Sequence, residues 1–525
     1  MSPTVPLSPH QRRAILGVVA LAVMMVVAAV SGLNVALPDL ARDTGATQSQ
    51  LQWIVDAYTV VFAGLLLAAG AVGDRYGRRG VLLAGLVLFG AAAAGAMTTR
   101  DPAVLIALRA VMGVGAAAVM PVTLSVVTTS FPPEERGRAV GIWTGIAGGG
   151  GVLGLLGSGV LLRYFAWNSF FALNVVLAGL ALLGAVRIMP NSRDAHPPAF
   201  DAPGALLSLA SVAGLVFGII EVPERGWRDS LTLGALALGA LALGGFVAWE
   251  LRRAEPMLDP RLFRLPGFGT GALSIMVQFF AVFGFFFVGL QYLQFVAGFS
   301  PLKAALALLP LPAVLLPLSR RAPDLAERFG VNRVGAAGLV LLAGGLVLLS
   351  RVSVDLIYWR FAIGLVVFAA GMALAATPAT TAIVGSLPLA KQGVASAVND
   401  TSREFGSALG IALLGSIVND RYRAGLAGAT AALPPEIARR AMGSLAFAQS
   451  DAIRRMGPTG TTLAVAAQRS FVNGIAAALL AAAGAALAAA VYVALRAPGQ
   501  AEATALEREE RPSARAASVV KGGRS

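Results

Sequence analysis

Apolar runs of bilayer-crossing length alternate with short polar stretches along most of the chain. A crossing needs about 20 mostly apolar residues. Such runs fall near 14–37, 50–72, 80–98, 103–128, 139–162, 168–188, 204–221, 231–250, 268–298, 301–319, 334–350, 356–377, 393–418 and 470–495. That is fourteen predicted spans. Backbone polar groups must be satisfied within the lipid, and no ten-residue alternating pattern is present, so helices are expected rather than a barrel. The polar stretches are short, except for 420–469 and the charged, Ala-rich segment 497–525. The long loop holds one candidate helix, 434–449, and the final segment reads as a disordered tail.

Composition agrees with an all-α membrane protein. The 525 residues are 57% hydrophobic and 13% charged, about half the charged share of a soluble domain. The net charge of +14 does not require a nucleic-acid partner. Lys and Arg in short loops concentrate on the side that an even number of spans assigns to both termini, which predicts cytoplasmic termini. Arg12 and Arg13 precede the first run as they would in a signal peptide, but its length and the spans after it make it a retained span.

Several chemistries are excluded. The chain has no Cys, and His10 and His196 lie outside the apolar runs. No thiolate or histidine metal site is expected, and no cofactor. There is no phosphate-binding Gly–Lys loop, no H-E-x-x-H and no nucleophile elbow, so no enzyme is expected.

One loop interrupts the apolar pattern with unusual chemistry. GAVGDRYGRR, residues 70–79, joins the second and third spans. PDLAERFGVNR, 323–333, stands in the same place between the tenth and eleventh. Aligning Gly330 on Gly77 puts Glu327 on Asp74, Arg328 on Arg75 and Phe329 on Tyr76. This internal repeat predicts two six-helix halves, 14–188 and 268–496, with two extra central helices in 204–250 and a short cytoplasmic N-terminus, 1–13.

The pattern G-x-x-x-D-R-x-G-R-R resembles the signature loop of the major facilitator superfamily. LNVALPDL (33–40), LQWIVDAY (51–58), RAVMGVGAAAVMP (109–121), PERGW (223–227), EPMLDPRLF (255–263), QYLQFVAGFSP (291–301) and AVNDTSREFGSALGIALLGS (397–416) narrow the resemblance to its fourteen-span drug:proton antiporters. The resemblance implies the major facilitator fold in a bacterial cytoplasmic membrane. It also implies efflux of lipophilic small molecules in exchange for protons, by a chain expected to work as a monomer. It makes the loop a conformational latch of Gly70, Asp74, Arg75, Gly77, Arg78 and Arg79, with Glu327 and Arg328 in the second copy. The Asp74 carboxylate would act on the loop arginines and on the positive end of the helix starting near Gly393, a favourable place for an anion.

Charges within spans are costly and mark function. Arg109, Asp56, Asp400, Arg403 and Glu404 are the candidates for proton coupling. The resemblance gives Arg109 that role. Asp400, Arg403 and Glu404 share one helix face, where Asp400 can pair with Arg403 and leave Glu404 as a second carboxylate near one cation.

The sequence also departs from the family. Ala29, Thr381 and Lys303 stand where acids are expected, and Leu155 and Ser158 interrupt the fifth-span G-P-x-x-G-G pattern. With Ala29 in place of an acid, Asp56 becomes the candidate partner of Arg109. The missing acids keep open a differently coupled facilitator, an importer or a transporter-like sensor. Asn34, Gln278, Gln291, Tyr292 and Asn399 are candidate polar groups of a midplane pocket. The Phe run 279–287 is a candidate aromatic wall or core, and Trp53 and Trp167 read as interfacial anchors.

Overall fold

The computed structural model describes residues 8–190, 201–387 and 392–497. The tail 498–525 and the start of the chain, 1–7, lie outside the described residues, as does the side chain of Asp74.

The first-half segments form α1 (Pro9–Ser31), α2 (Leu33–Thr44), α3 (Gln48–Tyr76), α4 (Arg78–Thr98), α5 (Pro102–Ser130), α6 (Pro133–Tyr164) and α7 (Ser169–Ile188). The central pair is α8 (Ala202–Arg225) and α9 (Ser230–Glu250). Then follow α10 (Pro266–Gln291), α11 (Pro301–Ala307), α12 (Pro310–Phe329), α13 (Val331–Leu349), α14 (Tyr358–Gly385) and α15 (Gln392–Thr430). Three short helices, α16 (Pro435–Gly443), α17 (Leu445–Ala448) and α18 (Asp451–Arg454), precede α19 (Pro458–Arg496). Among the described residues twelve helices are long and apolar enough to cross a membrane. The predicted runs 139–162 and 393–418 fall within α6 and α15, outside that set of twelve.

Local chemistry sets the helix starts. Ser8 with Gln11 and Thr47 with Gln50 form reciprocal capping boxes, and Asp101, Asp201 and Asp229 accept backbone N–H groups at the starts of α5, α8 and α9. The first predicted run is broken at Gly32. There the Asn34 side chain takes the Val30 carbonyl at 3.0 Å, and α6 presses so close that a Cβ on Gly32 would lie 2.5 Å from Ser158 Oγ. The long loop is shorter than expected, because α15 and α19 both extend beyond the apolar runs. The candidate helix 434–449 is two helices, α16 and α17, separated by Ser444, which caps α17.

Helices α1–α7 pack mainly on one another, and α10, α12–α15 and α19 do likewise, while α11 lies against α6 of the first group. The α8–α9 hairpin is zipped by glycines: a Cβ on Gly239 would lie 2.6 Å from Leu215 N. Its α8 face wedges against both α3 and α15, burying Val60, Val212, Val216, Ile220, Ala408 and Ala412 together.

The α3–α4 and α12–α13 corners have one backbone geometry. Gly77 has φ 107°, ψ 124°, and Gly330 has φ 95°, ψ 139°. Each N–H bonds the carbonyl four residues back, Gly73 and Ala326. A residue with a Cβ is strained at such positive φ. The repeat read from Gly77 and Gly330 is therefore also a repeat of conformation.

Candidate functional site

Arg109 is the largest fully buried side chain and sits two turns into α5. Glycine makes its position possible. A Cβ on Gly113, one turn on, would lie 2.6 Å from the Tyr58 carbonyl oxygen, so α5 crosses α3 at backbone contact. The crossing brings Arg109 Nε to the Ile54 carbonyl at 2.8 Å. It also lays the guanidinium over the Tyr58 ring, 4.3 Å from its centroid. A desolvated cation over an aromatic face gains about 2 kcal/mol. The Tyr58 hydroxyl donates to the Val26 carbonyl of α1 at 3.0 Å.

Both terminal nitrogens of Arg109 lack a hydrogen-bond partner. Asp56 is also fully buried, one carboxylate oxygen accepting from Thr59 at 3.1 Å and the other unpartnered. The two residues lie within electrostatic reach but form no ion pair within 4.0 Å. Ala29, where an acid was expected, is fully buried. Arg109 is thus held by a carbonyl and a ring.

Across from this cluster stands α15. Asp400, Arg403 and Glu404 are all half-buried. The expected Asp400–Arg403 pair is not made: the Arg403 guanidinium lies over the Phe279 ring of α10, 5.2 Å from its centroid. Glu404 of α15 is within electrostatic reach of the Tyr58 hydroxyl on α3.

The Phe run divides by helical period. Phe280, Phe285 and Phe287 are buried core. Phe279, Phe283 and Phe286 form a half-exposed stripe, with Phe279 and Phe283 stacked at 5.9 Å. The polar pocket candidates are deeper than expected. Asn34, Gln278 and Gln291 are fully buried, and each amide nitrogen donates to the carbonyl four residues back. Their carbonyl oxygens have no partner. Tyr292 donates to the Ser353 carbonyl at 2.7 Å and so serves a loop, while Asn399 lies beside Thr380.

The bonds that join the two groups, among the described residues, lie at the end of the bundle opposite the chain start. Gln52 Nε2 donates to the Ala412 carbonyl at 3.1 Å, Asn419 Nδ2 to Ser49 Oγ at 3.1 Å, and Gln294 Nε2 to the Val35 carbonyl at 2.9 Å. We call this the far face. Both tryptophans read as interfacial anchors are hydrogen-bonded to carboxylates. Trp167 is 5% exposed and donates to Asp43 at 2.8 Å. Trp53 packs on Phe217 and donates to Glu221. A nearby carboxylate draws each indole N–H inward.

At the near face the latch residues are spread out. Gly70 touches Pro121, and a Cβ on Gly73 would meet Val122 at 2.7 Å. Arg79 donates to the Val186 carbonyl of α7 at 2.5 Å, within its own helix group. Arg75, Glu327 and Arg328 are exposed and Arg78 is half-buried. The side chain of Asp74 and the burial of Gly393 fall outside what is described. Tyr58, Gln52 and Gly113 carry the site but were not assigned roles from sequence. Tyr58 sits within LQWIVDAY and Gly113 within RAVMGVGAAAVMP, so those motifs held the signal.

A bundle of long apolar helices, with a cation buried inside its first helix group, belongs to the class of multi-pass membrane proteins. The sequence pattern of the Major Facilitator Superfamily matches residues 19–411, and the chain belongs to that family. It is 34% identical over 494 residues to the Multidrug efflux pump LfrA of Mycolicibacterium smegmatis, covering 94% of this chain and 97% of that protein. It is 30% identical over 404 residues to the Tetracenomycin C resistance and export protein of Streptomyces glaucescens, covering 77% and 75%. The crystal structure of a bacterial homolog of the human lysosomal transporter Spinster has the same fold. Its TM-score is 0.66 at 17% identity, covering 94% of this chain and 99% of that one. The chain is a multi-pass transporter of that superfamily in the bacterial inner membrane, not an enzyme.

Proposed function

We propose that this chain exports lipophilic drugs or secondary metabolites by alternating access, in exchange for protons, through fourteen spans with cytoplasmic termini. The observation that carries the reading is Arg109, buried over Tyr58 with two unpartnered terminal nitrogens. The relatives named for efflux and export favour outward transport. The basic near-face loops favour the cytoplasm for that face. Helices α6 and α15 supply the thirteenth and fourteenth crossings, α1–α7 and α10–α19 are the two six-helix halves, and α8–α9 is the inserted pair. The bonds at the far face then make this an inward-facing arrangement.

In the proposed cycle Glu404 releases its proton into the cytoplasmic cavity, and substrate settles against Phe279, Phe283 and Phe286. Arg109 and Arg403 stabilise the resulting carboxylate. Closure of the near face engages the latch of Asp74 with the loop arginines, Glu327 and Arg328. Opening of the far face lets an external proton reach Glu404 and the substrate leave. Asp56 balances Arg109 when Glu404 is protonated, and Asp400 balances Arg403. Asn34, Gln278, Gln291 and Asn399 offer the cavity unpaired or lightly held oxygens. The chain acts as a monomer.

Everted vesicles energised with a proton gradient test this. Lipophilic compounds should accumulate, and collapsing the gradient should release them. A folded protein that equilibrates the same compounds with no gradient dependence would be a facilitator, and the missing acids at Ala29 and Thr381 would be the reason.

A further inference from the structure

A cavity lies away from the Arg109 site. It occupies about 310 Å³ between α8, α15 and α19 near the far face, within the ~300–1,000 Å³ of small-molecule sites. Three helix faces converge on it. Leu413, Ser416, Ile417, Asp420 and Arg421 follow the i, i+3, i+4, i+7, i+8 pattern of one α15 face. Ile219, Val222 and Pro223 give the α8 wall. Ala477 and Ala481, one turn apart on α19, leave the volume open because neither extends beyond Cβ.

The cavity is graded from apolar to charged. Aliphatic residues line most of it, and Asp420 and Arg421 stand together at one end, both exposed. Neither makes a hydrogen bond or ion pair with a described residue, whereas the nearby Arg225 and Arg423 are paired with Glu221 and Glu224. Trp227 also borders the cavity and is 65% exposed. It sits where an interfacial tryptophan belongs. It therefore places the charged end at headgroup depth and the aliphatic part within the hydrocarbon.

We propose that this crevice seats one far-leaflet phospholipid carrying a primary ammonium headgroup. Arg421 takes the phosphate, Asp420 takes the ammonium, and one acyl chain lies against Leu413, Ile417 and the alanines. An anionic lipid would leave Asp420 facing a like charge, and a quaternary ammonium cannot donate a hydrogen bond to it. The seat shares a wall with the far-face closure. Ser416 donates to the Ile219 carbonyl at 2.8 Å, and Gln52 Nε2 lies 3.5 Å from Ser416 Oγ. The bound lipid braces α8 against α15 where the two helix groups meet.

The test is native mass spectrometry of the full chain, delipidated in detergent and titrated with phosphatidylethanolamine, phosphatidylglycerol or phosphatidylcholine. One phosphatidylethanolamine per chain should be retained at least tenfold more tightly than either other lipid. Asp420→Asn should erase that preference and Arg421→Gln should weaken retention of phosphatidylethanolamine and phosphatidylglycerol alike. Both residues are exposed, so the fold should not depend on them. Ala477→Phe should block retention by filling the cavity, with helical content and melting temperature checking that the variant folds. Preference for phosphatidylglycerol, no preference, or retention unchanged in Asp420→Asn and Ala477→Phe would overturn the proposal.

Discussion

The guanidinium of Arg109 rests 4.3 Å from the centre of the Tyr58 ring, and the Tyr58 hydroxyl reaches across to α1. Three helices of one group thus converge on a single buried cation, which makes no ion pair with a carboxylate among the described residues. The aromatic face supplies part of the stabilisation that a carboxylate would have given, without fixing the charge in an ion pair. A cation held in this way stays available to a titrating carboxylate on the opposite group.

Replacing Arg109 should therefore stop coupled transport and leave the fold intact. Arg109→Ala should abolish gradient-driven accumulation in everted vesicles. Arg109→Lys should recover little, because a point ammonium cannot both stack on Tyr58 and hold the Ile54 carbonyl. Equal transport by Arg109→Lys and wild type would show that only charge matters there.

Glu404→Gln should separate movement from coupling. The amide cannot load or release a proton, so accumulation driven by a gradient should be lost while substrate exchange across unenergised vesicles persists. Asp56→Asn should reduce coupling less, since Asp56 is bonded to Thr59 and not paired with Arg109. Full proton-driven activity in Glu404→Gln would remove Glu404 from the mechanism.

The far-face closure can be read directly, because the chain has no Cys. Ser49→Cys with Asn419→Cys places two thiols where a 3.1 Å hydrogen bond now joins α3 and α15. Oxidation should cross-link them and trap the inward-facing state, stopping transport until a reductant is added. Cross-linking with no effect on transport would mean that these helices do not part during the cycle.

Gly77→Ala and Gly330→Ala should each destabilise the protein by about 1–2 kcal/mol, the cost of a Cβ in the left-handed region. A thermal melt in detergent should show similar losses for both. Gly77→Ala should also slow transport if the first loop alone still serves as a latch. Loss of stability in only one variant would contradict a shared corner geometry.

Gly113→Val should be more damaging than either, since the added atoms would meet the Tyr58 carbonyl at the α3–α5 crossing. Overpacking of this kind costs about 1–3 kcal/mol. It should also shift Arg109 off Tyr58, so transport should fall even in the fraction that folds.

The apolar periodicity by itself determined that this is a helical membrane protein and where its helices run, because lipid leaves the backbone no other way to satisfy its hydrogen bonds. It also determined the repeat: Gly77 and Gly330 could be matched because a sharp corner between two spans demands glycine. The motifs fixed the family, and the rarity of charge within spans singled out Arg109 and Glu404. Tertiary structure alone decided what those charges touch. That Arg109 lies over Tyr58, that Arg403 chooses Phe279 over Asp400, and that Trp167 turns inward to Asp43 all depend on which helix faces meet and how closely glycines let them approach. Sequence spacing orders residues along one helix; contacts between helices are set by packing, and no spacing rule carries them.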